Sequence, residues 1–323
     1  MATIRCLKES ELEKWLEFVP MTFSNGNPAP EFRQYFRNHY YNDPLSGLDS
    51  IFVALEEGEI ASTLRVFNRK THLNGTTIAT GGIGEVCTDP KYRAQGLSTK
   101  LLEKAIEYMN EKGLLISTLR TGLFEFYRRR GWAESNSLLS VRQLSEATFD
   151  ASNFTDFRVR EIDWEHDLSA LQALHEASAI RANGVFVRDN QDYWTKWVAC
   201  EAGVAPTIVT TNDGTAVAYL FAEWDQKVDV KVKEFCALPG YERLFDFVVC
   251  SMRDIAKNTA QTITCSANYP SELLLIEKKT DRCNMLRLNR PFDINDKKIE
   301  TTEQLLEELE SVNGYNFHLT DGY

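Results

Sequence analysis

The 323-residue sequence contains no run of eighteen apolar residues, the length at which a segment begins to read as a bilayer span, so no membrane contact is expected. Its amino terminus, MATIRCLKESELEK, lacks the apolar stretch behind a basic start that marks a secretory signal, and a cytoplasmic location is expected. Cysteine shows no pairing pattern: seven residues run from Cys6 to Cys283 without a CxxC, which argues for reduced thiols rather than a disulfide framework. Histidine is scarce, five in all. The nearest approach to a metal-binding helix, His175-Glu176-Ala-Ser-Ala179, lacks the second histidine one turn on, so no metal is expected. Positive charge is in deficit, with 36 Lys+Arg against 47 Asp+Glu and a net charge of −11. That balance opposes binding to nucleic acid or anionic lipid, and a cationic partner is easier to attract. Neither common phosphate loop is present: there is no GxxxxGK[ST], and Gly82-Ile-Gly84 lacks the third glycine of a dinucleotide fingerprint.

What remains is an ordinary globular composition, 43% hydrophobic and 26% charged, in a chain long enough for two compact units. A β-type run at Thr3–Leu7 precedes a capping-box pattern, Ser10 with Glu13, and helical stretches to Phe18 and over Glu31–Tyr41. Residues 51–55 and 60–67 form a hairpin pattern. Candidate strands follow at Thr76–Ala79 and Ile83–Thr88, then a helix from Leu97, where Leu101, Ala105, Ile106 and Met109 recur at helical spacing until Gly113. A strand at Leu114–Leu119, a short helix at Phe124–Arg130 and a strand at Ser137–Val141 close the first half. Polar, aperiodic residues 145–156 make the boundary, giving units 1–148 and 155–323. The order of elements points to a mixed α/β (α+β) fold, not a doubly wound parallel sheet.

The second half restarts in the same order: Phe157–Arg160, helical runs over Asp167–Arg181 and Asn190–Cys200, and a hairpin around Asp213-Gly214. Glu85, Cys87, Pro90 and Tyr92 match Glu234, Cys236, Pro239 and Tyr241 at a constant offset of 149 residues, as expected of an internal duplication.

Chemistry concentrates in Val86-Cys-Thr-Asp-Pro90-Lys-Tyr-Arg93-Ala-Gln95-Gly96-Leu-Ser98-Thr99, a strand that passes through a basic loop into a helix. A helix N-terminus offers unpaired N–H groups and about half a positive charge, enough to hold a pyrophosphate. Gly96 lets a ligand approach the backbone, Arg93 and Gln95 add charge and donors, and the Ser98 and Thr99 hydroxyls can cap the helix or reach phosphate.

Arg93-x-x-Gly96-x-Ser98 resembles the R/Q-x-x-G-x-G/A pyrophosphate loop of the GNAT acyltransferases, with Ser98 a departure at the last position. Phe126-Tyr127-x-x-x-Gly131-Trp132 resembles their FYxxxGF segment. The likeness covers about residues 1–145; more loosely, the whole chain is similar to tandem-GNAT proteins related to the enhanced intracellular survival acetyltransferases. Those relatives often carry a further sterol-carrier-like domain, which this chain is expected to be too short to contain in full. The resemblance implies two tandem folds, each a mostly antiparallel twisted sheet flanked by helices, with acetyl-CoA as co-substrate. It implies that Val86, Cys87 and Thr88 pair with the pantetheine arm and that Arg93, Ala94, Gln95, Gly96, Leu97, Ser98 and Thr99 hold the pyrophosphate.

Tyr127 matches the family's general acid. The base is either the terminal carboxylate of Tyr323, as in the intracellular-survival relatives, or Glu85, on the strand where some GNAT enzymes place a glutamate. The second half opposes Phe245 to Gly96 and Glu242 to Arg93, so it is expected to bind no cofactor and to wall the substrate cleft; Tyr193, Trp194 and Trp197 are candidates to line it, although the 193/197 spacing on a helix is more often core packing. The expected acceptor is an amine on a small molecule or peptide, with homo-oligomers allowed. The alternative is a non-catalytic acyl-CoA-binding sensor or scaffold.

Overall fold

The computed structural model describes residues 2–144, 151–224, 227–311 and 318–322. Part of the expected boundary, residues 145–150, and the terminal Tyr323 lie outside them.

The first half runs β1 (Thr3–Cys6), α1 (Leu12–Phe23), α2 (Pro30–Tyr41), β2 (Ile51–Glu56), β3 (Glu59–Leu73), β4 (Thr76–Thr88), α3 (Leu97–Glu111), β5 (Ile116–Arg120), α4 (Phe124–Arg128) and β6 (Ala133–Gln143). The second runs β7 (Phe157–Glu161), α5 (Leu168–Ala179), a π-helical turn (Tyr193–Val198) leading into α6 (Ala199–Glu201), β8 (Thr207–Thr211), β9 (Ala216–Glu223), β10 (Asp229–Ala237), α7 (Leu244–Ile255), β11 (Thr262–Ser266) and β12 (Leu275–Leu288). A small hairpin and a final helix, Thr302–Ser311, follow.

Two local expectations are corrected, and a third, left between cleft and core, is decided for the core. Residues 76–88 form one strand rather than two, because the intervening glycines stay paired with β3. The first helix is opened not by Ser10 and Glu13 but by Glu11, whose carboxylate accepts the Lys8 N–H at 3.1 Å and also holds Arg5. Tyr193, Trp194 and Trp197 are core residues, packed with Phe221 and Leu171 rather than lining a cleft.

The larger difference lies in the sheet. Twelve strands form a single sheet in the order β1-β2-β3-β4-β5-β12-β6-β11-β10-β9-β8-β7. Among the described residues the only parallel neighbours are β4–β5 and β10–β11. The last strand of each half has crossed over: β12 pairs with β5, β6 pairs with β11, and the two exchanged strands pair with each other. The mixed α/β fold, mostly antiparallel and flanked by helices, is as expected; the joining of the two halves' strands was not, because local pattern marks a strand without naming its neighbour.

Helix α3 buries Leu97, Leu101, Leu102, Ala105, Tyr108 and Met109, the stripe that its spacing predicts. It lies so close to β4 that a Cβ at Gly81 would come within 2.5 Å of the Met109 sulfur. This contact holds the C-terminal end of α3 against the middle of β4.

Candidate active site

β4 and β5 pair only through Thr80–Ile83 and Ile116–Leu119, although β4 continues to Thr88. The cause is a bulge: Cys87 faces Thr63 and Gly84 faces Arg65, so Glu85 and Val86 together oppose one residue. Glu85 sits there at φ 55°, a conformation uncommon for a residue with a Cβ. Bulges bend a strand and end pairing, so Val86–Thr88 leave a gap beside β5.

The loop after β4 closes over that gap. Gly96 is the N-cap of α3 at φ 75°, and a Cβ there would meet nothing within 4 Å, so the space above it is open. Leu97 is buried and anchors the helix, while Arg93, Ala94 and Gln95 are exposed. The Arg93 Nε donates to the Thr88 carbonyl at 3.2 Å. Neither hydroxyl caps α3: Ser98 bonds the Thr88 hydroxyl at 2.7 Å, and Thr99 accepts from Arg130 at 2.7 Å. Arg130 was missed by the sequence reading. Its place in the Arg128-Arg129-Arg130 run was the available signal, but only the fold shows which of the three turns back to the helix start. The Cys87 thiol packs with Trp15, Leu16 and Val19, and its carbonyl accepts the Ser62 hydroxyl at 2.9 Å.

Tyr127 is brought in by α4, 6% exposed. Its ring meets Phe126 and Trp132 edge-on, with centroids 5.0 and 6.1 Å away. Among the described residues its hydroxyl has no hydrogen-bond partner, and burial pushes its pKa up to about 12. The phenol is therefore protonated throughout the neutral range and able to donate.

Glu85 and Glu234 hold matching positions with opposite electrostatics. Neither oxygen of the buried Glu85 carboxyl has a hydrogen-bond partner. Arg65 lies 3.6 Å away but is committed to Asp43 and the His39 carbonyl, each at 3.1 Å. Burial pushes Glu85 up to about 7, against the pull of Arg65. Glu234 is equally buried, yet both its oxygens receive Arg188, at 2.9 and 2.7 Å, together with the Tyr219 and Thr320 hydroxyls. Burial alone would raise it, but Arg188 draws it well below the usual carboxylate range.

Arg188 also grips the chain's final described segment, bonding Asp321 at 3.1 and 2.9 Å. The Tyr193 hydroxyl donates to Asp321 at 3.0 Å, and the Trp197 ring N–H donates to the Thr320 carbonyl at 3.0 Å. The buried aromatics thus fasten the tail. Asp321→Ala leaves a buried guanidinium short of a partner and is expected to cost about 3–5 kcal/mol in denaturant unfolding; a loss under 1 kcal/mol would contradict this role. The fold also gathers His175, Glu234 and His318, with ligand atoms within 4.8 Å of one another. The Glu234 oxygens in that group are already taken by Arg188, Tyr219 and Thr320.

A cavity of about 960 Å³ lies against the second half, bordered also by Tyr35 of α2, Arg120 at the end of β5, and His318 and Gly322 of the tail. Tyr127, Glu85 and residues 86–99 are not in its lining.

The chain matches the acetyltransferase (GNAT) domain family over residues 3–135. Residues 3–135 are a GNAT acetyltransferase domain. An uncharacterized N-acetyltransferase of Streptomyces griseus is 24% identical over 211 residues, 63% of this chain and 48% of the relative. The chain therefore spans about half the length of that relative. The crystal structure of a GCN5-related N-acetyltransferase from Kribbella flavida superposes with a TM-score of 0.68 at 20% identity, over 90% of this chain and 72% of that one. Eis1 from Mycobacterium abscessus does so with a TM-score of 0.59 at 16% identity, over 90% and 74%. These overlaps carry the likeness of fold past the GNAT domain into the second half.

The second half shows why its copy of the gap differs. β10 and β11 also part after three paired residues, but the Tyr269 hydroxyl accepts the Phe235 N–H at 3.1 Å. Phe235 corresponds to Val86. Phe245, in the place of Gly96, packs on Phe235 and Tyr269.

Proposed function

We propose that the protein transfers an acetyl group from acetyl-CoA to a primary amine by direct attack. The observation carrying this reading is the bulged gap between β4 and β5, opening beneath the glycine-capped start of α3. Val86–Thr88 offer backbone groups to the pantetheine arm. Residues 93–99 and the dipole of α3 hold the pyrophosphate, with Arg130 as added positive charge. Tyr127 protonates the departing thiolate. The transfer is uphill, since a free thiol has a pKa near 8.5 and this phenol stands at about 12, so the donor is effective only as the C–S bond breaks.

Two groups are proposed for removing the amine proton, the terminal carboxylate of Tyr323 and Glu85. The tail returns to the cavity wall at His318 and Gly322, which favours the first; a carboxyl that accepts no hydrogen bond and is raised by burial to about 7 favours the second. The function is tested by thiol release from acetyl-CoA with and without amines, alongside calorimetric titration of acetyl-CoA. One-site binding and amine-dependent release are expected, and absence of binding would refute the reading.

The pH profile separates the bases. A base acts when deprotonated, so with Glu85 in that role kcat/KM rises through an inflection near pH 7, and Glu85→Gln removes the inflection along with most of the rate. With a terminal carboxylate, whose ordinary pKa is about 3.5, there is no inflection near 7 and Glu85→Gln keeps the profile.

A further inference from the structure

One group of buried titratable side chains has no part in the proposed acyl transfer. His175 on α5, Glu234 on β10 and His318 in the tail converge from three parts of the chain, each offering one possible ligand atom within 4.8 Å of the other two. The His175 ring is 1% exposed, and the Trp194 ring stands edge-on to it with centroids 5.4 Å apart. Among the described residues its Nε2 has no hydrogen-bond partner. A buried polar atom left in that state costs desolvation that nothing repays, so the nitrogen is available to a ligand. The His318 ring, its centroid 6.1 Å from that of His175, borders the cavity. The group can therefore be reached from solvent.

Glu234 is the member already in use. A carboxylate has about four lone-pair sites; Arg188 takes two, and the Tyr219 and Thr320 hydroxyls take the others. The Thr320 hydroxyl is the donor that can leave at small cost. It is neutral, it turns about a single bond, and its oxygen keeps the bond that it accepts from Arg188 at 2.8 Å. Charge favours replacing it with a cation. The charged groups facing the two imidazoles are Arg188, Glu234 and Asp321, one cation between two carboxylates. Arg69, the next cation, is bound to Asp43 at 3.1 Å, and His72, the other titratable neighbour of His175, lies 3.5 Å from Glu176.

We propose that His175, Glu234 and His318 form a site for a divalent transition-metal ion of the zinc kind, which fastens the tail to α5. Two imidazoles and a carboxylate suit zinc rather than calcium or magnesium, and three protein ligands leave a tetrahedral ion one further position. Ligand atoms about 2.0–2.2 Å from zinc stand closer together than the present spread, so binding draws the tail inward. The full chain, freed of metal by a chelator, is titrated calorimetrically with Zn²⁺, and with Co²⁺ to record the visible absorption of the bound ion. One equivalent is expected to bind, raising the unfolding temperature by about 4 °C at a Zn²⁺ concentration of 100 times Kd. His175→Ala and His318→Ala should each weaken binding at least ~100-fold, more than the loss of an outer-shell partner costs, and abolish the Co²⁺ spectrum. His166→Ala, which removes an exposed histidine paired with Asp163, should change neither. In the parent protein, two of the five imidazoles are expected to shift in histidine-ring NMR spectra on adding one equivalent of Zn²⁺, a reading that needs no variant to fold. Absence of binding to the parent, undiminished binding in both His175→Ala and His318→Ala, or ring shifts confined to His166 would overturn the proposal. None of these measurements uses CoA, so their outcome is independent of the acyltransferase reading.

Discussion

Gly96→Glu is expected to weaken CoA binding by at least ~100-fold while leaving a folded protein. Three effects act in one direction. The side chain enters the open space above the start of α3, where a pyrophosphate would approach the backbone. Its charge opposes the anion that the helix N-terminus attracts. A residue with a Cβ at φ 75° also strains the cap, by about 1–2 kcal/mol, which is small beside the stability of a domain. Because nothing lies within 4 Å, the substitution displaces no packed atom. Calorimetry reads the affinity and thermal unfolding reads the fold; undiminished binding in Gly96→Glu would remove the loop from the cofactor site.

The second large effect is expected at Tyr127, where activity and stability should move apart. Phenylalanine keeps the ring contacts with Phe126 and Trp132 and removes a hydroxyl that has no partner among the described residues, so Tyr127→Phe should unfold at the same temperature as the parent or slightly higher. If the hydroxyl supplies the proton to the thiolate, kcat falls by about 10²–10⁴ with CoA affinity unchanged. A variant that is equally stable and equally fast would make Tyr127 a packing residue only.

The loop was legible in the sequence because its chemistry is local: a glycine at a helix cap and an arginine three residues before it act through their own backbone turn. The same holds for α3, whose buried stripe is a matter of spacing. Glu85 was legible as a position but not as a chemical state. It differs from its repeat partner Glu234 because Arg65, 3.6 Å from Glu85, gives its hydrogen bonds to Asp43 and the His39 carbonyl, whereas Arg188 and the tail hydrogen-bond the Glu234 carboxyl. Those partners come from 46 and 86 residues away, beyond any local pattern. Arg130 was hidden for a similar reason, since three adjacent arginines look alike until one is seen beside Thr99. His175 was set aside for want of a second histidine one turn on, and the fold supplies His318 from the far end of the chain.

The exchanged strands have a consequence for how the protein is made. When a ribosome has finished β6, the open side of β5 still lacks the neighbour it will have in the native protein, because β12 at residues 275–288 has not been synthesised. For more than a hundred further residues that edge offers unpaired backbone to any other strand, and the pairing that finally covers it is among the longest-range in the chain, the kind that forms slowly. The nascent acetyltransferase domain is thus complete in sequence long before it is complete in structure, and its maturation waits on the last quarter of the polypeptide.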